Sequence, residues 1–318
     1  MASNPNPYLV QPLDIGNVVS AGIQLYRTHF KQYFGIALIA TLWALLPFLL
    51  VIPIVLFYTA VQTYYGTLGL VVPAWIVLAV YCSAKYFAGA GAIARLAFGT
   101  LINQPESLDS AKRYANSRIW GFWNINFLLT LMYLGVYFVT VVVLLIVLSA
   151  TGIFSLLTNP DPTTFALNPA PLILAGLFTL LLLLAMVVIF IWLGSRFAVA
   201  DLPLATETGS NATQSLGRSW NLTYKSAWRI ALILFITFLI TIPLQALAQI
   251  LVSTFNAIIA VSFPQDSPTF ALLSFSVGYI LGLVAGVVVL PLWQSIKAVI
   301  YSDLRSRREG LGLKLRDS

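Results

Sequence analysis

Residues 32–84 read QYFGIALIATLWALLPFLLVIPIVLFYTAVQTYYGTLGLVVPAWIVLAVYCSA, and no charged side chain occurs between Lys31 and Lys85. A helix needs about 20 apolar residues to cross a bilayer. The run is long enough for two spans, at roughly 34–58 and 68–94, split by a tip containing Gln62, Thr63, Gly66 and Thr67. The same pattern continues down the chain. A third span is expected from Trp120 to about Leu148, followed by the polar loop Thr158-Asn159-Pro160-Asp161-Pro162-Thr163. A fourth lies at roughly 171–194. A fifth and a sixth lie at roughly 230–255 and 270–296, joined by a loop carrying Pro264, Gln265 and Asp266.

The charges decide the orientation. All 17 Lys and Arg residues cluster at one end of the apolar runs, while Asp161 and Asp266 fall at the other end with no basic residue near them. By the positive-inside rule, both termini are expected in the cytoplasm, with short polar loops on the far side. The expected fold class is all-α: a polytopic membrane protein with six transmembrane helices arranged as three repeated hairpins. Each hairpin is preceded by a cytoplasmic amphipathic helix. Residues 1–318 form one transmembrane domain. The expected location is a bacterial inner membrane or an internal one such as a thylakoid.

Composition agrees. The 318 residues are 59% hydrophobic and 8% charged, against roughly 25% charged in a soluble domain. The net charge of +7 suits rims near anionic lipid headgroups, so membrane lipids are the expected partners and nucleic acid is not. A membrane-protein partner or a second copy of the chain is the other partner considered. Cys82 and His29 are the sole residues of their types. They leave no basis for a cysteine cluster, a His-based zinc site or a Ser–His–Asp triad. No metal or other cofactor is expected. The N-terminus, MASNPNPYLVQPLD, lacks the basic and apolar regions of a cleaved signal peptide.

Arg95, Arg196 and Lys297 each end the second span of a pair and are spaced 101 residues apart both times. Downstream, Asp201-Leu202 answers Asp303-Leu304 with a one-residue offset, and Thr100-Leu101 stands in the first copy. Ser107 precedes Trp120, and Ser215 precedes Trp228, by 13 residues in both cases; Ser20 and Tyr33 keep that spacing. Matching positions that are polar or aromatic are the useful ones in an apolar chain. The repeats are placed at 13–102, 103–204 and 205–304, with a basic tail at 305–318. They imply a pseudo-threefold bundle.

Ahead of the first hairpin, Ile15, Val18, Val19, Gly22, Tyr26 and Phe30 share one helical face, with Asp14 placed to cap it. Residues 107–117 and 211–226 look similar. In the latter, Trp220, Tyr224 and Trp228 fall at i, i+4 and i+8, near Arg218, Lys225 and Arg229. Aromatic and basic residues beside a span suit the headgroup zone. Such helices are either elbows that anchor each hairpin or a headgroup-binding surface.

Lys85 lies about two-thirds along the second span. It is expected to snorkel to the cytoplasmic rim, since no acidic partner is predicted at its depth; the alternative is a polar partner inside the bundle, such as Asn124, Asn126, Gln245 or Gln249. Under the repeat, Arg95, Arg196 and Lys297 converge as three cations. Asp201 and Asp303 supply two anions, and a bound phosphate fits the remaining charge. The alternative is three ordinary positive-inside signals with local ion pairs. Ala88-Gly89-Ala90-Gly91-Ala92 offers a narrow face for close helix packing. Pro47, Pro53, Pro243 and Pro291 fall inside spans and imply kinks.

The tail Tyr301-Ser302-Asp303-Leu304-Arg305-Ser306-Arg307-Arg308-Glu309-Gly310-Leu311 resembles a Y-x-D-L-R-x-R-x-E-G ending. The segment Ser215-Leu216-Gly217-Arg218-Ser219-Trp220-Asn221-Leu222-Thr223 resembles an S-L-x-R-S-W-x-L-T element. Both belong to bacterial six-span proteins related to the membrane domain of glycerophosphoryl diester phosphodiesterases. The resemblance implies a six-span fold over nearly the whole chain. It does not imply phosphodiesterase activity, which in the fused relatives belongs to a separate soluble barrel with metal-binding carboxylates and histidine.

Three functions follow as expectations. The first is a non-enzymatic scaffold that binds anionic lipid headgroups or partner proteins at the cytoplasmic face. The second is a facilitator for a small amphiphile or lipid, which predicts a cavity opening on that side. The third is a lipid-headgroup enzyme built on Asp201, Asp303 and an added metal. No paired carboxylates, metal ligand set or nucleophile with a base favours catalysis, and the lack of an acid within any span speaks against a proton-coupled transporter but not against a facilitator. The candidate binding residues are Arg95, Arg196, Lys297, Asp201, Asp303, Arg305, Arg218 and Trp220, with no catalytic residue among them.

Overall fold

The computed structural model describes residues 13–60, 68–150 and 170–310, and every element among them is helical. The expected tip at 62–67, the loop at 158–163 with Asp161, residues 1–12 and the end of the tail at 311–318 lie outside the described residues. In chain order the helices are α1 (Ile15–Thr28), α2 (Phe30–Ala60), α3 (Leu68–Leu101), α4 (Leu108–Ser117), α5 (Ile119–Ala150), α6 (Ala170–Arg196), α7 (Asp201–Thr206), α8 (Ala212–Thr223), α9 (Ala227–Ser262) and α10 (Pro268–Glu309). Six of them, α2, α3, α5, α6, α9 and α10, are long and apolar enough to cross a membrane. They carry apolar side chains outward: Leu42, Val77, Leu181 and Leu247 are all exposed. Such a surface matches lipid rather than water. This makes the chain a multi-pass membrane protein.

The chain divides into two compact units, residues 1–125 with 197–318, and residues 126–196. In the smaller unit, Tyr133 of α5 meets Phe190 of α6 with ring centres 5.3 Å apart. The larger unit is organised around α10, which packs on α1, α2, α3, α8 and α9. Its buried side chains gather where the short helices meet the ends of the long ones: Val18, Tyr33, Ile93, Phe122, Leu202, Ile230 and Ile300 are essentially inaccessible.

Glycine permits the closest approaches. A Cβ on Gly22 would lie 2.4 Å from Ile296 Cγ1 and 3.0 Å from its Cα, so α1 lies directly on the α10 backbone. The two glycines of the 88–92 motif serve different neighbours. Gly89 abuts Ala40 of α2, and Gly91 lies under the Phe122 ring. Alternating small residues thus let α3 pack closely on two sides.

The sixth span departs most from expectation. It was placed to end near residue 296, yet α10 continues to Glu309 and closes on Gly310 in the left-handed region. The stretch from 297 to 309 keeps helical periodicity, and its Ala298, Val299, Ile300, Tyr301 and Leu304 are buried. The basic tail expected from residue 305 therefore begins inside a helix. Because the helix runs on, Asp303 becomes a buried acid within it, where no span was expected to hold one. The Trp220, Tyr224, Trp228 ladder is also interrupted. Lys225 adopts φ 68°, which ends α8 and turns the chain into α9.

Candidate functional site

The polar end of the larger unit is built from three ionic nodes. At the first, Asp303 has only 2% of its side chain exposed. It accepts from Arg229 Nη1 at 2.8 Å, from Arg307 Nε at 3.0 Å and from the backbone N–H of Leu13 at 2.9 Å. Both arginines also donate to the Leu13 carbonyl. One carboxylate thus holds two guanidinium groups, and together they clamp the chain just ahead of α1. Asp14 occupies the N-cap position of that helix, but its side chain makes no capping bond.

The second node is a row of alternating charge. Arg218 donates to Glu207 Oε1 at 2.8 Å and pairs with Glu309 at 2.8 Å. Glu309 in turn accepts from Arg305 Nε at 3.0 Å, and the buried Tyr301 hydroxyl donates to Glu207 at 2.8 Å. Burial by itself would lower the Arg218 pKa. The hydrogen bond to Glu207 and the charges of Glu207 and Glu309 outweigh it and raise the pKa above the ordinary guanidinium value. Arg308 donates to the carbonyls of Asn221 and Tyr224, where α8 ends.

The third node surrounds α7. Arg95 pairs with Glu106 at 2.5 Å and donates to the Ala205 carbonyl at 2.8 Å. Its guanidinium carbon lies 3.8 Å from the ring centre of Tyr114, while that of Arg118 lies 4.7 Å from it. Arg118 reaches the carbonyls of Glu207 at 3.2 Å and Ser210 at 3.3 Å. Two cations thus satisfy carbonyls at and beyond the C-terminal end of α7, the favourable end for positive charge. At the other end Lys297 pairs with Asp201 at 2.9 Å.

Of the expected set, Lys297 meets Asp201 at 2.9 Å, a pairing that the sequence did not specify. Arg95 uses Glu106 instead, and Asp303 uses Arg229 and Arg307. Arg218 and Arg305 meet through Glu309. Trp220 packs against Phe197, ring centres 5.4 Å apart. Arg196 belongs to the 126–196 unit, where it is 3% exposed and lies 5.9 Å from the Trp192 ring centre. The carboxylates that organise these pairs, Glu106, Glu207 and Glu309, were not singled out from the sequence. A signal existed: Glu106 and Glu207 share the 101-residue spacing of Arg95 and Arg196, and Glu309 follows one residue out of step.

Other cations remain outside the nodes. Arg27, Lys31, Arg113 and Lys225 are exposed, and none joins an ion pair among the described residues. Lys85 donates to Asn116 Oδ1 of α4 at 3.1 Å. It lines a pocket of about 220 Å³ with Lys112, Asn116, Trp43 and Ile39. Lys112 and Asn116 are one helical turn apart, so α4 presents both to the same side. No family model matches the chain, and no curated protein or solved structure does either.

Proposed function

We propose that this membrane protein acts as a non-enzymatic scaffold whose basic end holds anionic lipid headgroups or a partner segment at the cytoplasmic face. One observation carries the reading. After the internal ion pairs are formed, exposed cations remain on α1, α4 and the turn between α8 and α9, beside exposed Trp228 and Tyr224. Cations and aromatic rings next to a span suit the interface with anionic lipid. In this reading Arg95, Lys297, Asp201, Asp303, Arg305, Arg218 and Trp220 shape that face, and the exposed cations touch the ligand.

The same proposal includes the threefold repeat and cytoplasmic termini. A short helix precedes two long ones in α1–α3, in α4–α6 and in α8–α10, which supports the repeat. The glutamate spacing supports it independently. Kinship with phosphodiesterase-type membrane domains rests on the two quoted motifs and is part of the proposal. The test is native mass spectrometry of gently extracted protein. Retained anionic phospholipid, or a reproducible partner, is expected; bare protein with neither would overturn the reading.

A second reading, a facilitator for a small amphiphile, has one observation in its favour. A slot of about 210 Å³ between α9 and α10 is lined by Gln245, Gln249, Gly278, Gly282 and Gly286. Both amides are exposed at mid-span, an unfavourable position in hydrocarbon unless a function uses it. Liposome flux that falls on Gln245→Leu, Gln249→Leu substitution is the expected result of that reading, and unchanged flux would exclude it.

A further inference from the structure

We propose that the pocket between α2, α3 and α4 binds the phosphate of an anionic glycerophospholipid, with Lys85 and Lys112 as its cationic contacts. This rests on the lipid-binding reading and gives it one site. The argument begins with Lys85. An ammonium group has three donors, and Asn116 supplies one neutral acceptor, at 3.1 Å. The remaining neighbours are the rings of Trp43 and Tyr81, with Lys85 Nζ 5.9 and 5.7 Å from their centres. Lys112, on α4, adds a second cation to the lining, and no Asp or Glu is among the residues that line the pocket. Two cations lining one pocket with no carboxylate in its lining favour an anion beside them.

Apart from Lys85, α3 offers only the small residues Ala88, Gly89 and Ala92 to this pocket. Larger residues there would fill it. Its shape selects a lipid over a free anion. The polar groups Lys85, Lys112 and Asn116 come from α3 and α4, while α2 contributes Ile36, Ile39, Ala40 and Trp43. The outer face of α2 and α3 then continues with exposed Leu42, Val77 and Ile76. A phosphate with acyl chains satisfies both halves, whereas inorganic phosphate would face mostly hydrocarbon. A lysine that reaches the rim from within a span also places its charge at headgroup depth.

The experiment is native mass spectrometry of the full chain in detergent, titrated with phosphatidylglycerol or phosphatidylcholine. Wild type is expected to prefer phosphatidylglycerol. Lys85→Gln and Lys112→Gln are each expected to weaken that lipid roughly tenfold, as for loss of one charge-assisted contact, and to leave phosphatidylcholine unchanged. The Lys85→Arg, Lys112→Arg variant should retain binding. Ile39→Trp, which fills the pocket and removes no charge, should lose it. If the double glutamine variant kept the full preference, this site would be overturned while lipid binding by the basic end stood. If wild type showed no preference and carried no lipid or partner, the broader reading would fall with it. Displacement of the lipid by inorganic phosphate would overturn the lipid as occupant.

Discussion

Replacing Asp303 by Ala should be among the most damaging single changes at the polar end. The carboxylate is almost inaccessible and receives Arg229, Arg307 and the Leu13 N–H. Removing one partner of a buried ion pair costs about 3–5 kcal/mol. Here the arginine side chains remain 22% and 35% exposed and recover some hydration, and both still reach the Leu13 carbonyl. The lower part of the range, about 3 kcal/mol, is therefore expected. Asp303→Asn keeps the shape and one acceptor, so its loss should be smaller, about 2 kcal/mol. The assay is equilibrium unfolding in mixed micelles, paired with limited proteolysis ahead of α1, because the clamp fastens Leu13. Arg229→Ala should cost much less on the Asp303→Ala background than in wild type, by about 1–2 kcal/mol. An Asp303→Ala protein within about 1 kcal/mol of wild type, with unchanged proteolysis, would refute the clamp.

Other consequences follow from packing and capping. Gly22→Leu drives a side chain into the α10 backbone at Ile296 and should destabilise by about 1–3 kcal/mol; Ile296→Ala should recover part of that in the same unfolding assay. Asn211 caps α8 by accepting from the Gln214 N–H, while the Gln214 side chain accepts from the Asn211 N–H. Asn211→Ala should therefore cost about 1 kcal/mol, seen as faster amide exchange in the first turn of α8.

Span number and approximate position were legible because uncharged runs of membrane-crossing length leave few alternatives. Residues 32–84 alone settled two helices. Charged residues were harder to place, for a physical reason. An ion pair depends on where two helix ends meet, and periodicity within one segment does not report that. The repeat offered Asp201 and Asp303 as anions for the cation set without pairing them, and the real partner of Arg95 lies 11 residues on, across the α3–α4 turn. Asp303 looked like a rim residue because hydropathy falls after residue 296; amphipathic continuation of α10 buries it instead. Lys85 was legible as a cation near a rim. Its pocket required α4 to lay Lys112 and Asn116 beside it, which spacing within one helix cannot predict.

Orientation is the claim on which the rest depends, and cysteine labelling in sealed membrane vesicles of known sidedness tests it most directly. In a Cys82→Ser background, single cysteines would replace Asp109, exposed on α4 at the basic end, and Asp266, exposed between α9 and α10. A membrane-impermeant maleimide is predicted to reach position 109 only from the cytoplasmic side and position 266 only from the opposite side. Labelling of both from one side, or of position 109 from the far side, would contradict a cytoplasmic basic face.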